Sequence, residues 1–353
     1  MAVATRSKRP LEAAKTETVK RLKTEVGLGD GDSITELKQE GNTGVKSLER
    51  KHIKVEVEDE SSETSPNVFR TVTGEDLKLV GLDARVPLNW HEIYNEIVYM
   101  RSKFMAPVDT MGCERMPETI TPNVTRDKPK VYRFQLLISL MLSSQTKDEV
   151  NFEAMVNLQT IFLKKGYENG LCLEAILDSA ESDIDNYIQK VGFHRRKAGF
   201  IKNSCDILND QFNGDIPKTI EDIVSLPGVG PKMGYLLLQK GWNINDGIGV
   251  DVHLHRLAQM WGWVSKSDKP ENTRNELEKW LPKSLWADIN PLLVGFGQSV
   301  CAPRSNNCDI CTLAKKGLCK SSNKKLLKQP IDDKRKAKLK SQRSDMSGLI
   351  DLF

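Results

Sequence analysis

A lysine and an aspartate in this chain stand where a reactive amine and a proton-handling carboxylate would be useful to each other. The lysine lies in Leu226-Pro227-Gly228-Val229-Gly230-Pro231-Lys232-Met233-Gly234. The glycines allow a tight turn that another molecule can approach closely, and Pro231 suits the first position of the apolar helix that follows. A shorter helical run, Thr219 to Val224, precedes the turn, so the stretch reads helix, glycine hairpin, helix. The free amides of Gly228, Val229 and Gly230, together with the start of the second helix, make a seat for a phosphate. A cation is disfavoured at that positive helix end, and burial would disfavour it further. Lys232 is therefore expected to have a lowered pKa and a neutral, nucleophilic amine.

Asp251 occurs in Gly249-Val250-Asp251-Val252-His253-Leu254-His255-Arg256, where it caps another helix. An aspartate in that place is commonly a cap and nothing more. Beside an amine it can also take up and return protons and stabilise a cation developing on a sugar carbon.

A second constellation is Cys301-x6-Cys308-x2-Cys311-x7-Cys319, four thiols within 19 residues. A [4Fe–4S] cluster needs four cysteine ligands. Structural zinc also accepts four, but usually through two short Cys-x2–4-Cys knuckles, and only one is present. With the neighbouring motifs counted, the iron–sulfur reading is preferred. Cys113, Cys172 and Cys205 lie scattered and read as core or inert thiols.

Hairpin, aspartate cap and trailing cysteine loop, in this order, resemble the endonuclease III family, the bifunctional DNA glycosylases and abasic-site lyases of the helix-hairpin-helix superfamily, and in particular its eukaryotic members. The resemblance runs from about Trp90 to Cys319, and departs in the last cysteine gap, which is seven residues here and five in the family. It implies two helical domains with damaged double-stranded DNA in the cleft between them: a six-helix barrel carrying the hairpin, and an iron–sulfur cluster domain. By motif match it makes Lys232 the nucleophile and Asp251 the essential carboxylate. Gln145 falls where the family fills the gap left by a flipped nucleotide, and Phe193 where it places an apolar wedge. Ser143, Asp148 and His253 fall where the family faces base or backbone. The implied reaction removes oxidised pyrimidines and ring-opened purines through a lysine Schiff base and nicks 3′ to the site. A relative that removes adenine opposite oxidised guanine lacks the lysine, and one specific for oxidised guanine lacks the cluster. A different reading is a noncatalytic helix-hairpin-helix module in which Lys232 only contacts phosphate.

The elements that must position these residues are all helical. Apolar spacing predicts helices over 90–100, 134–142, 149–165, 171–180, 183–190, 196–212, 252–261, 273–281 and 286–300, with no convincing alternating strand. The expected division is a tail over 1–86, a cluster domain from 87–130 plus 247–324, a barrel over 131–246, and a basic tail over 325–353, with both tails disordered. His194-Arg195-Arg196-Lys197, beside the wedge position, is a basic run at a helix start, and Arg195, Arg196 and Lys197 are read as phosphate contacts. Residues 325–353 hold 8 Lys and Arg against 4 Asp and Glu and end on apolar residues. That end reads either as a docking peptide or as a segment that packs back on the core.

Residues 1–86 hold 15 Lys and Arg against 16 Asp and Glu with no sustained apolar period. Lys8-Arg9 and Lys20-Arg21-Leu22-Lys23 have the spacing of a bipartite nuclear import signal. Glu12, Glu17 and Glu25 argue against a pure mitochondrial presequence but leave the mitochondrion open as a second destination. Lys23, Lys38 and Lys54 each follow an aliphatic residue and precede x-Glu, the pattern of SUMO attachment, which implies the SUMO machinery and an import receptor as partners. No apolar run reaches the length of a membrane span and no signal-peptide core follows Met1, so the expected protein is intracellular and free of membranes. A monomer is also expected.

Overall fold

The computed structural model describes residues 69–80 and 85–352. The basic import clusters and the SUMO-type lysines Lys23, Lys38 and Lys54 lie outside the described residues.

The chain is all-α, and two apolar cores divide it. Its helices include α1 (Trp90–Arg101), α2 (Pro129–Ser143), α3 (Asp148–Lys164), α4 (His194–Gln211), α5 (Ile220–Ser225), α6 (Pro231–Trp242), α7 (Val252–Met260), α8 (Pro270–Trp280), α9 (Trp286–Gln298) and α10 (Asp333–Lys340). Among the described residues the only strands are two-residue β1 (Cys301–Ala302) and β2 (Ser305–Asn306), paired antiparallel with Cys301 opposite Asn306. No helix among them is long and apolar enough to cross a membrane.

The first core is built on α2. Every residue from Tyr132 to Leu142 is buried, and a helix buried on all sides can only be central. Helices α3 to α6 pack around it. Met111, Met116 and Val124 join the same core. They sit on three short helices, Pro107–Met111, Met116–Ile120 and Val124–Asp127, two of which carry proline in their first turn. This lobe therefore begins near residue 111, earlier than the expected boundary at 131. The Pro-rich connection is helical because proline at a helix start sacrifices no hydrogen bond.

The second core gathers α1, α7, α8, α9, the cysteine loop and the end of the chain. Arg101 is wholly buried there, its Nη2 2.6 Å from Asp109 Oδ1 and its Nη1 donating to Phe104 O. Order also starts before the expected Pro87. Thr73 caps a helix over Gly74–Lys78, Val72 N donates to Asn95 Oδ1, and Asp76 accepts from Ser284.

The last segment is not a disordered tail. Leu339, Met346 and Leu349 are fully buried in the second core. Arg335 makes a two-pronged ion pair with Asp309, at 2.6 and 2.7 Å, inside the cysteine loop. Of the two alternatives for the apolar end, packing back on the core is the one observed.

Candidate active site

The glycine hairpin is a close fit to its own lobe. Gly228 has φ 79°, and a Cβ there would stand 2.6 Å from the Phe200 ring, so only glycine serves. Val229 turns its side chain into the core, whereas nothing lies within 4 Å of a Cβ placed on Gly230. The Val229 amide, expected to be free, donates to Leu226 O at 3.1 Å, whereas among the described residues the Gly228 and Gly230 amides donate to no protein acceptor. They lie beside the open N-terminus of α6, where helix amides also lack intrahelical partners. This arrangement suits an anion.

Lys232 stands in the first turn of α6, and the second lobe delivers Asp251 to it. The stretch before Asp251 runs against the start of α6: a Cβ on Gly249 would be 2.7 Å from Leu236 Cγ and 3.1 Å from Lys232 O. Asn290 of α9 donates to Gly249 O and fixes that approach from the far side. Asp251 then caps α7, its Oδ1 accepting from Leu254 N at 2.7 Å, which leaves the carboxylate buried and rigid.

The expectation of a lowered Lys232 pKa is not met. Burial does push it down, but Cys113, Asp251, Glu114 and Asp148 act in the opposite direction and leave it above the ordinary lysine value. Burial raises the Cys113 thiol to about 11. The resting amine is a cation in an acidic pocket. Asp148 opens α3 and accepts from Gln298 Nε2 at 2.8 Å, and its own pKa is raised chiefly by burial. His253 is lowered, first by burial, against the pull of Asp251, and its Nδ1 is buried with no partner. Ser143 donates to Leu140 O within α2. Cys113 and Glu114 had no signal in the sequence, because only the fold brings the short helices of the connection to Lys232.

Gln145, Phe193 and Gly228, from three separate segments, line one cavity of about 190 Å³. Gln145 (φ 50°) and Phe193 (φ 59°) are both left-handed and both exposed, Phe193 at 57%. Non-glycine residues held this way are strained, and such strain gathers at functional positions. Arg195 and Arg196 face solvent, as a phosphate contact requires. Lys197 does not. It is buried at 6% exposure, with its ammonium 2.7 Å from Leu142 O, 2.6 Å from Ser144 O and 3.0 Å from Thr146 Oγ1. The phosphate role expected for Lys197 fails because all three of its protons are already taken.

Cys301, Cys308, Cys311 and Cys319 all wall a second cavity, of about 220 Å³, in the second lobe. None is disulfide-bonded. Donors point at this sulfur set: Asn323 N lies 3.3 Å from Cys308 Sγ and Arg256 Nη1 3.8 Å from Cys301 Sγ. Such N–H groups suit thiolates, and the donor set fits a cluster held by four cysteines. Among the described residues no three His, Cys, Asp or Glu side chains converge on a single metal ion.

Residues 138–283 match the family model described as HhH-GPD superfamily base excision DNA repair protein. An endonuclease III homolog of Schizosaccharomyces pombe is 49% identical over 238 residues, 67% of this chain and 63% of its own length. The chain thus spans less than two thirds of that relative. Endonuclease III-like protein 1 of Mus musculus is 42% identical over 247 residues, 70% of this chain and 77% of the mouse protein. A solved non-covalent endonuclease III–DNA complex is 25% identical, with a TM-score of 0.49 over 61% of this chain and 96% of that one. On the extent and level of the match to the mouse protein, the chain belongs to the endonuclease III family.

Proposed function

We propose that the protein is a bifunctional DNA glycosylase and abasic-site lyase that removes oxidised pyrimidines, and ring-opened purines, from double-stranded DNA. The observation that carries this reading is that Lys232, in the hairpin lobe, stands within electrostatic reach of the buried carboxylate of Asp251, in the other. A base within a duplex is out of reach, so the target nucleotide must be turned out of the stack, which is least costly where damage has weakened it. Gln145 and Phe193 occupy the space it leaves, Arg195 and Arg196 contact phosphates, and the Gly228–Gly230 turn holds the backbone. His253 and Asp148 face the turned-out nucleotide.

Lys232 first gives up a proton, and Asp251 is the acceptor. The free amine attacks C1′, the base departs with the electrons of the glycosidic bond, and an imine forms as the ring oxygen opens. Loss of a C2′ proton then expels the 3′ phosphate by β-elimination. An amine nucleophile couples base removal to strand cleavage, whereas a water nucleophile would not.

Cys301, Cys308, Cys311 and Cys319 would hold a [4Fe–4S] cluster, which when bound supplies four cross-links within the loop at the foot of the second lobe. The proposal includes a monomeric protein delivered to the nucleus, with the mitochondrion as a second destination. It also includes SUMO attachment at Lys23, Lys38 and Lys54. These parts rest on sequence alone.

The test is cleavage of a thymine-glycol duplex in the presence of borohydride. The wild type should nick the strand and be trapped on it covalently, and Lys232→Gln should do neither, a loss of at least about 10³-fold. Binding without nick or adduct by the wild type would leave the noncatalytic damage-binding module.

A further inference from the structure

Lys197 lies in a basic run at the start of α4, yet its ammonium is buried against protein acceptors. Its three acceptors are the carbonyl of Leu142, in the last turn of α2, the carbonyl of Ser144, and the hydroxyl of Thr146. They flank Gln145 on both sides. Carbonyls at a helix end lack intrahelical donors, and a cation there is favoured by the helix dipole. Thr146 N also donates to Ser143 O, closing the turn over Gln145 at 3.2 Å.

The same lysine ties in the second strained residue. Phe193 is the residue before α4, and Lys197 N donates to Phe193 O at 3.1 Å. A Cβ on Gly192 would sit 2.9 Å from Gln145 O, so the loop that presents Phe193 lies directly on the turn that presents Gln145. Two left-handed, exposed side chains thus stand side by side over one buried ammonium. Among the described residues no carboxylate faces that ammonium and Arg196 is the only other charged residue on the cavity wall, and burial draws the Lys197 pKa down to about 8.

We propose that Lys197 is a positioning residue that holds the Gln145 turn, and with it the Phe193 loop, in the strained shape needed to enter DNA. This rests on the reading of Gln145 as the residue that fills the gap in the duplex.

The experiment compares the full-length wild type with Lys197→Met, Thr146→Val, Gln145→Ala and the Lys197→Met/Gln145→Ala double variant. Amide hydrogen exchange over 143–147 should accelerate at least tenfold in Lys197→Met and about threefold in Thr146→Val, while 132–141 stays protected. Affinity for a duplex with a tetrahydrofuran abasic analogue should fall about tenfold in Lys197→Met. Its single-turnover rate at saturating enzyme, and its affinity for undamaged duplex, should stay within twofold of wild type. The double variant should bind no worse than Gln145→Ala alone, because the two side chains act as one unit. Unchanged exchange over 143–147 in both Lys197→Met and Thr146→Val overturns the proposal. So does an equal loss on damaged and undamaged duplex with a shallower salt dependence, the mark of a phosphate contact. Faster exchange with abasic affinity intact in both Lys197→Met and Gln145→Ala would instead overturn the gap-filling reading of Gln145. Should Lys197→Met fail to fold, Thr146→Val carries the same comparison at smaller amplitude.

Discussion

The two lobes solve the problem of an interior differently. Around α2 the interior is mainly apolar, with leucine, isoleucine, phenylalanine and methionine closing on one another, and its Arg133–Asp215 ion pair stays partly open to solvent. Around α9 it holds charge and aromatic edges: the Arg101–Asp109 pair, the Arg335–Asp309 pair, and Trp90, Trp263 and Trp280 in edge contact, with the indole N–H groups of Trp263 and Trp280 unpartnered. An apolar interior is tolerant in detail, since total volume matters more than any one contact. An interior built on buried ion pairs is not, because each group left without its partner is costly. The difference also divides the labour. The tolerant lobe presents the amine and the strained residues that would enter DNA, and the braced lobe presents the carboxylate.

Asp251→Asn tests that division most sharply. Asparagine caps a helix as well as aspartate, so melting should barely move while single-turnover cleavage falls by about 10²–10⁴-fold. An equal loss of melting temperature would show that the residue only braces α7.

Arg101→Ala should cost the second lobe about 3–5 kcal/mol, because Asp109 is left buried and alone. Replacing Arg101 and Asp109 together with Met and Leu should recover most of it. Hydrogen exchange should place the loss in α1 and α9 and leave α2 protected. If α2 opens equally, the lobes unfold as one unit and the contrast drawn here fails.

Arg335→Ala should cost about 1–3 kcal/mol in chemical denaturation, as a charged hydrogen-bonded partner is removed. With the proposed cluster bound, it should also hasten loss of iron, read as bleaching of the iron–sulfur absorbance on exposure to a chelator. Unchanged bleaching would restrict the last segment to stability alone.

The smallest effect concerns pH. The folded pKa of Lys197 is depressed below the unfolded value, so folding favours its neutral form. Its contribution is fully present above the ordinary lysine pKa and is lost as pH falls through about 8. Wild type should therefore gain stability on Lys197→Met between pH 8 and 10, by at most about 1.4 kcal/mol per pH unit. A flat difference would mean that the ammonium is better solvated than its burial implies.

Much of this was readable from local rules. Cap residues and apolar spacing placed α1 to α9 within about five residues, the prolines that open α2 and α8 being passed over, and the hairpin, Asp251 and the cysteine loop stood out by type and spacing. What escaped depended on side chains far apart in the chain. Lys197 reads as one of a basic run, yet a helix turns about 100° per residue, so Arg195 and Arg196 reach solvent while Lys197 turns inward. The pKa of Lys232 was misjudged because the helix end was visible, whereas the approach of Glu114 and Asp148 to it was not. The last segment looked like a tail because its three buried anchors, Leu339, Met346 and Leu349, are too sparse to set a period.

Gln298 joins the two lobes with a single amide. Its Oε1 accepts from Val108 N at 3.1 Å, and its Nε2 donates to Asp148 Oδ2 at 2.8 Å. A main-chain N–H has no lone pair to offer, so the oxygen has to face Val108 and the nitrogen has to face the acid. This link, which stands beside the Arg343–Glu149 pair at the seam, is keyed to one orientation of one side chain, and exchanging that NH2 for an oxygen, as glutamate would, sets acid against acid there.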